Sequence, residues 1–377
     1  MSVTLSHQSA LDTIRTLRCE GVNVHDMDVV PLMAPSPWVG TRLNMRNFSS
    51  DVWRWQKPSD KHPLHILVPN TQSRMRGKGI VAHVAGKDGQ ADSVLWLDER
   101  SRVVRPELLF VQMAETLSLP ALVMLGLELC GHFSRQADDP LMGDVVDGIP
   151  AATSVERLEA CLSTIKRAKG LDNARRALPY VRDHAASAPE AVLATMFALP
   201  SAEGGYGMGP VVLNERVELD DAGTRVKAKN RYPDLMFAFA PVGLNYDGFK
   251  HFDLADLKAA IDALSRLEGE EQAKERDALK AKLVAVRAKV LDDNMRDRQL
   301  AAQGRIVFSV TKEDLTDIEH LDELTRQVLG CANKVFGADV DGHLKTLEDT
   351  SLMHERGELL ATLAPHAGFG GLSYGKL

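Results

Sequence analysis

The chain has 377 residues, enough for two or three domains with cores of their own. Its 45 Lys and Arg against 52 Asp and Glu leave a net charge of −7, which excludes a surface that is basic throughout, so any nucleic-acid contact has to come from local patches. The four cysteines, Cys19, Cys130, Cys161 and Cys331, stand far apart with no C-x-x-C pair, a spacing that suggests neither a disulfide scaffold nor a zinc site. Reduced thiols in a cytoplasmic protein are the simplest account. Residues 1–8 lack the basic start and apolar run of a signal peptide, and the longest apolar stretch, 119–129, is interrupted by Pro120 and too short to span a bilayer. The expectation is a soluble, cytoplasmic protein.

In chain order, residues 6–18 read as an amphipathic helix with Ala10, Leu11, Ile14 and Leu17 on one stripe. Residues 21–59 are irregular, and Trp53 and Trp55 are either packing anchors or platforms for stacked bases. Strands at 64–68 and 80–84 flank a basic turn, Arg74 to Lys78, which either meets phosphates or is merely solvated. Further strands fall at 93–97 and 103–104, then helices at 106–117 and from Pro120 towards Cys130. After a Gly/Asp-rich link, Ser154 caps a helix whose buried stripe is Leu158, Cys161, Leu162 and Ile165. That helix runs out into a dense cation cluster: Lys166, Arg167, Lys169, Arg175 and Arg176.

The basic turn between two strands, the ten residues Arg-Pro-Glu-Leu-Leu-Phe-Val-Gln-Met-Ala from Arg105, Glu-Leu-Cys-Gly from Glu128 and Asp-Gly-Ile-Pro-Ala-Ala-Thr-Ser from Asp147 together resemble bacterial proteins related to AbiEi-type regulators of toxin–antitoxin and abortive-infection systems. The resemblance covers most of residues 1–185 through loose motifs. It implies a DNA-binding front section, with a winged-helix element, ahead of an endonuclease-like domain.

Ser187 caps the next helix, Pro189 sits in its first turn, and Glu190 follows where an acid favours the helix dipole. The glycine-rich run 204–210 lacks the flanking strand and helix of a dinucleotide fingerprint and reads as a loop. Arg225, Lys227, Lys229 and Arg231 recur every second residue, so an extended chain sets them on one side, as a phosphate track or as a solvated edge. They lead into two short strands joined at Pro241. Period two places Leu235, Phe237 and Phe239 on one side of the first strand, and Val242, Leu244 and Tyr246 on one side of the second. Asp234, Asn245 and Asp247 then converge on the opposite face, with His251 four residues beyond Asp247. Oxygen ligands on adjacent strands suit a hard divalent ion, Mg²⁺ or Mn²⁺; the same residues also suit a solvated sheet face.

Pro233-Asp234, ten residues, then Asn245-x-Asp247-Gly248-x-x-His251 resembles the core of the PD-(D/E)XK nucleases, in the branch that holds very-short-patch repair endonucleases. Asn245 stands where that branch has Glu, and a neutral amide holds a metal more weakly than a carboxylate. The resemblance implies a C-terminal α/β domain with a restriction-endonuclease-like mixed sheet flanked by helices, behind a smaller α+β N-terminal domain. It also implies roles: Asp234 and Asp247 as metal ligands, Glu190 as an outer ligand, and His251 as general base or phosphate contact. Asp293 and Arg296 match the branch's Asp-x-x-Arg helix, which implies that Arg296 contacts DNA. The expected domains are 1–182, 183–340 with a helical insertion at about 254–302, and a loosely held tail at 341–377. Gly269 is placed to bend the insertion into a hairpin through which two copies could pair. Two functions follow: a metal-dependent DNA endonuclease or nickase, or a catalytically inactive nuclease fold acting as a DNA-binding regulator. A scaffold binding only protein is a third.

Overall fold

The computed structural model describes residues 3–32, 58–74, 77–85, 93–99, 101–136, 145–219, 230–247, 264 and 269–364. It is a mixed α/β protein that divides into two units: Met1–Leu213 with Lys345–Leu377, and Asn214–Leu344.

The first unit opens with β1 (Val3–Leu5) and α1 (His7–Cys19), followed by β2 (Val29–Pro31), β3 (Leu64–Val68), β4 (Ile80–Val84), β5 (Ser93–Trp96) and β6 (Ser101–Val104). These six strands form one sheet in the order β2-β5-β6-β1-β3-β4. β1 runs parallel to β6 and antiparallel to β3, and β3 runs parallel to β4 with Leu67 opposite His83. α2 (Pro106–Met113), α3 (Leu119–Leu129), β7 (Phe133–Arg135), β8 (Val145–Asp147), α4 (Val155–Thr164), α5 (Leu171–Ala177), α6 (Ala188–Ala198) and β9 (Val211–Leu213) complete this stretch.

α3 and α6 are apolar all round, and such helices belong in a core. They pack on each other, and every residue of α6 is buried. α3 ends on a carboxylate, Glu128, which is matched across the core. Arg15 of α1 grips it through two hydrogen bonds of 2.9 and 2.7 Å, and each side chain is 1% exposed. The neighbouring Arg18 donates to the carbonyls of Glu128 and Gly131. Burial alone would raise the Glu128 pKa, but Arg15, with Arg135 and Arg18, holds it down to about 2. Close packing of α3 also explains Gly126, where a Cβ would meet Val181 and Phe110.

In the second unit, β10 (Val217–Glu218) pairs with β11 (Asn230–Arg231). β12 (Leu235–Phe237) and β13 (Val242–Tyr246) form the antiparallel pair that period two suggests, with Leu235 opposite Leu244. β14 (Ile306–Val310) lies parallel to β13, as a crossover connection requires, and α7 (Gly269–Ala302) is on that connection. α8 (Ile318–Phe336) starts at an Asp317 cap, ends at Gly337 with φ +68°, and buries Leu321, Val328 and Leu329. α9 (Asp341–Glu348) and α10 (Thr350–Leu363) follow.

Several boundaries differ from those the sequence suggests. The first unit continues past residue 182 to include α6 and β9, because α6 is apolar on every side and packs against α3. The stretch expected as a tail from residue 341 carries α9 and α10. α10 packs on α6 and buries Leu359, Leu360 and Leu363, and its Arg356 lies over the Tyr206 ring at 5.3 Å. Gly269 stands at the start of α7, which runs unbroken for 34 residues. The rest of the expected hairpin, apart from Leu264, lies outside the described residues, as do Trp53 and Trp55. Among the described residues no helix is long and apolar enough to cross a membrane.

Candidate functional site

Two of the polar residues expected to line a site in the second unit, Asp234 and Asn245, are joined by a hydrogen bond. Asn245 is 1% exposed on β13. Its amide oxygen accepts from the Asp234 backbone N–H at 3.1 Å, and its amide nitrogen donates to Asp297 of α7 at 3.4 Å. Asp234 turns an oxygen back onto β13, where Oδ2 accepts from the Tyr246 N–H at 2.6 Å. The Asp247 N–H donates to the carbonyl of Val310 on β14. Burial raises the pKa of Asp297; Arg296 lowers it, and the charges of Asp293 and Asp247 add to the rise.

A hard cation such as Mg²⁺ or Mn²⁺ needs several oxygens directed at one point. Here one oxygen of Asp234 and the amide oxygen of Asn245 are turned onto backbone N–H groups. Among the described residues, no three His, Cys, Asp or Glu donors of this unit converge on one point. Asp234 and Asn245 thus each give a backbone N–H an oxygen that a magnesium or manganese ion would also draw on. His251 lies outside the described residues, as do Arg225, Lys227 and Lys229.

The remaining expected residues are also engaged. Glu190 belongs to the first unit, where its carboxylate folds back on the start of α6, accepting from Ser187 Oγ at 2.8 Å and from the Ala186 N–H at 2.9 Å. That is helix-capping geometry. Arg231 forms a bidentate pair with Asp292 at 2.9 and 3.0 Å and donates to Gln299 at 2.6 Å, which ties β11 to α7. This contact lowers the Asp292 pKa. Arg296 pairs with Asp293, 3.4 Å away on the same helix.

A second cluster lies in the first unit and was not singled out from sequence. His65 of β3 and His83 of β4 share a sheet face, because Leu67 is opposite His83 and His65 is two residues before Leu67. His65 Nδ1 and His83 Nε2 are 2.9 Å apart. His7, at the junction of β1 and α1, stacks on His83 with ring centroids 3.5 Å apart. One nitrogen from each of the three rings lies within 4.8 Å of the other two. The junction is held in place: the Ser6 N–H donates to the carbonyl of His65, the His65 N–H to Ser9 Oγ, and the His7 N–H to Gln112. His7 has φ +51°, a left-handed conformation uncommon for a residue with a Cβ.

Burial, together with the charges of His83, His65 and Lys169, lowers the His7 pKa to about 3. Burial is also the largest cause at His83, which falls to about 4, and it is the cause at His65, which falls as well. All three rings are therefore neutral near pH 7. His7 and His83 open onto a cavity of about 370 Å³ that is also lined by Arg74, Glu115, Arg167 and Lys169.

The signal for this cluster was present in sequence as an imidazole interrupting each of two apolar strands. Nothing local linked those two residues to each other or to His7. No family model, curated protein or solved structure matches this chain.

Proposed function

We propose that this chain is a DNA-binding regulator that holds nucleic acid without cutting it. The observation that carries this reading is the group of exposed cations Arg74, Lys166, Arg167 and Lys169, on the β3–β4 connection and the segment between α4 and α5. Arg74, Arg167 and Lys169 line one cavity, and Lys166, Arg167 and Lys169 line a second. In a chain of net charge −7 such a local concentration is what phosphate binding requires. The AbiEi-like resemblance of this region points the same way. Against cleavage stand the hydrogen bonds that engage Asp234 and Asn245. The rival nickase reading draws on Asp247 and Asp297, which lie close enough for one charge to act on the other.

Two assays decide between them. Four phosphate contacts give a log–log salt slope of about −3.6, roughly a hundredfold loss of affinity for duplex DNA between about 50 and 200 mM salt. Replacing all four cations by Gln is expected to remove that dependence, while supercoiled plasmid stays intact with Mg²⁺ or Mn²⁺. Binding that ignores the four replacements would overturn the regulator reading. Nicking by the wild type that vanishes in Asp234→Ala would replace it with the nickase.

A further inference from the structure

We infer that His7, His65 and His83 hold one divalent transition-metal ion, zinc foremost, whose fourth coordination position opens onto the cationic cavity and takes a phosphate-type anion. The metal assignment does not rest on the DNA-binding reading.

The cluster supplies the donor set of three-imidazole coordination. A tetrahedral ion bonded to nitrogen at about 2.0–2.1 Å sets its donors about 3.3–3.4 Å apart. One nitrogen from each ring lies within 4.8 Å of the other two, and the rings, now stacked at interplanar angles of 29°, 19° and 17°, turn about their side-chain bonds to aim their lone pairs at one ion. Imidazole ligands suit Zn²⁺, Cu²⁺, Fe²⁺ or Ni²⁺ and not Mg²⁺, which sets this site apart from the one the nuclease resemblance implied.

Two further observations point to an occupant. Among the described residues His7 Nδ1 is buried without a hydrogen-bond partner, a state that costs free energy unless something is bound there. His7 also carries the left-handed backbone that swings its ring over β3 and β4, and strain of this kind collects at functional positions.

The protein supplies three ligands, as in metal sites that keep a position open. His7 and His83 face the cavity, while His65 is not among its lining residues, so the open side is the cavity side. Arg74 and Arg167 line that side, where Lys169 pairs with Glu115 at 2.9 Å and Glu115 also lies 3.9 Å from His7 Nε2, so the balance of charge favours an anion.

The test is Co²⁺ titration of the full chain after chelator treatment, followed by the visible absorption of four-coordinate Co²⁺. One equivalent is expected to saturate the signal. His83→Asn should weaken binding by on the order of a hundredfold or more, since even the loss of a residue behind a ligand costs about 10–100-fold. His25→Ala, an exposed histidine elsewhere, should leave it unchanged. X-ray absorption of the zinc-loaded wild type does not depend on any variant folding, and it should show three imidazole nitrogens at about 2.0–2.1 Å. Fewer imidazoles, a sulfur shell, or equal affinity in wild type and His83→Asn would overturn the metal site. Inorganic phosphate should shift the Co²⁺ spectrum of the wild type, with affinity reduced about tenfold in Arg167→Gln/Lys169→Gln and Co²⁺ binding preserved. A spectrum indifferent to phosphate would overturn the open position.

Discussion

Glu128 is 1% exposed, and its charge survives there because Arg15 closes on it with two hydrogen bonds. Removing one partner of such a pair leaves the other charge buried, which costs about 3–5 kcal/mol. Glu128→Gln should therefore lower the unfolding free energy by that amount in urea at pH 7. Its folded pKa of about 2 lies below the value of 4.5 it has when unfolded. Its contribution, on the order of 3 kcal/mol, is complete above the unfolded value and lost as pH falls through the folded one. The gap between wild type and Glu128→Gln should narrow from pH 6 to pH 3; a gap of constant size would rule this account out. Asn245 holds a neutral version of the same bargain. Asn245→Ala strands the Asp234 N–H and one bond to Asp297, and should cost about 1–3 kcal/mol in the same denaturation assay. Neither role was legible in sequence. The stripe Ala10, Leu11, Ile14 identified α1 correctly, but nothing in it indicates that Arg15 faces inward to the Glu128 carboxylate, or Arg18 to the Glu128 carbonyl, more than a hundred residues away.

At the scale of the element, α7 is tied to β11 by Arg231, whose guanidinium is 10% exposed while Asp292 is 56% exposed. A bidentate charge-assisted contact with one partner in solvent is worth about 1 kcal/mol. Arg231→Ala should therefore leave the unit folded and speed amide exchange in the last turns of α7; unchanged protection there would show that the helix is held by other contacts. The alternation of Arg225, Lys227, Lys229 and Arg231 suggested one surface for all four cations, yet Arg231 is occupied in joining two elements. What depends on neighbours along the chain was readable: the β12–β13 pair from its period, and the Ser154 and Ser187 caps from hydroxyls ahead of apolar runs. What depends on distant partners was not. The imidazole cluster draws on β1–α1, β3 and β4, and no spacing in the sequence connects residues 7, 65 and 83.

For the whole molecule the C-terminal helices matter most. α10 returns to the first unit and buries Leu359, Leu360 and Leu363 together with Arg356. At about 1.5–3 kcal/mol for each buried leucine, the three alone contribute roughly 5–9 kcal/mol, comparable with the stability of an entire domain. A chain ending at residue 344 should lose its cooperative thermal transition by near-UV circular dichroism, whereas one ending at 364 should keep it. Preserved melting after the shorter truncation would mean that α10 is dispensable. The same connectivity bears on synthesis. The first unit holds Met1–Leu213 yet is completed by residues after 344, with the whole of Asn214–Leu344 translated in between. At ordinary elongation rates that interval is on the order of ten seconds. Throughout it the faces of α6 and Tyr206 that α10 will cover stay open, so the first unit cannot finish folding until the later helix has been made.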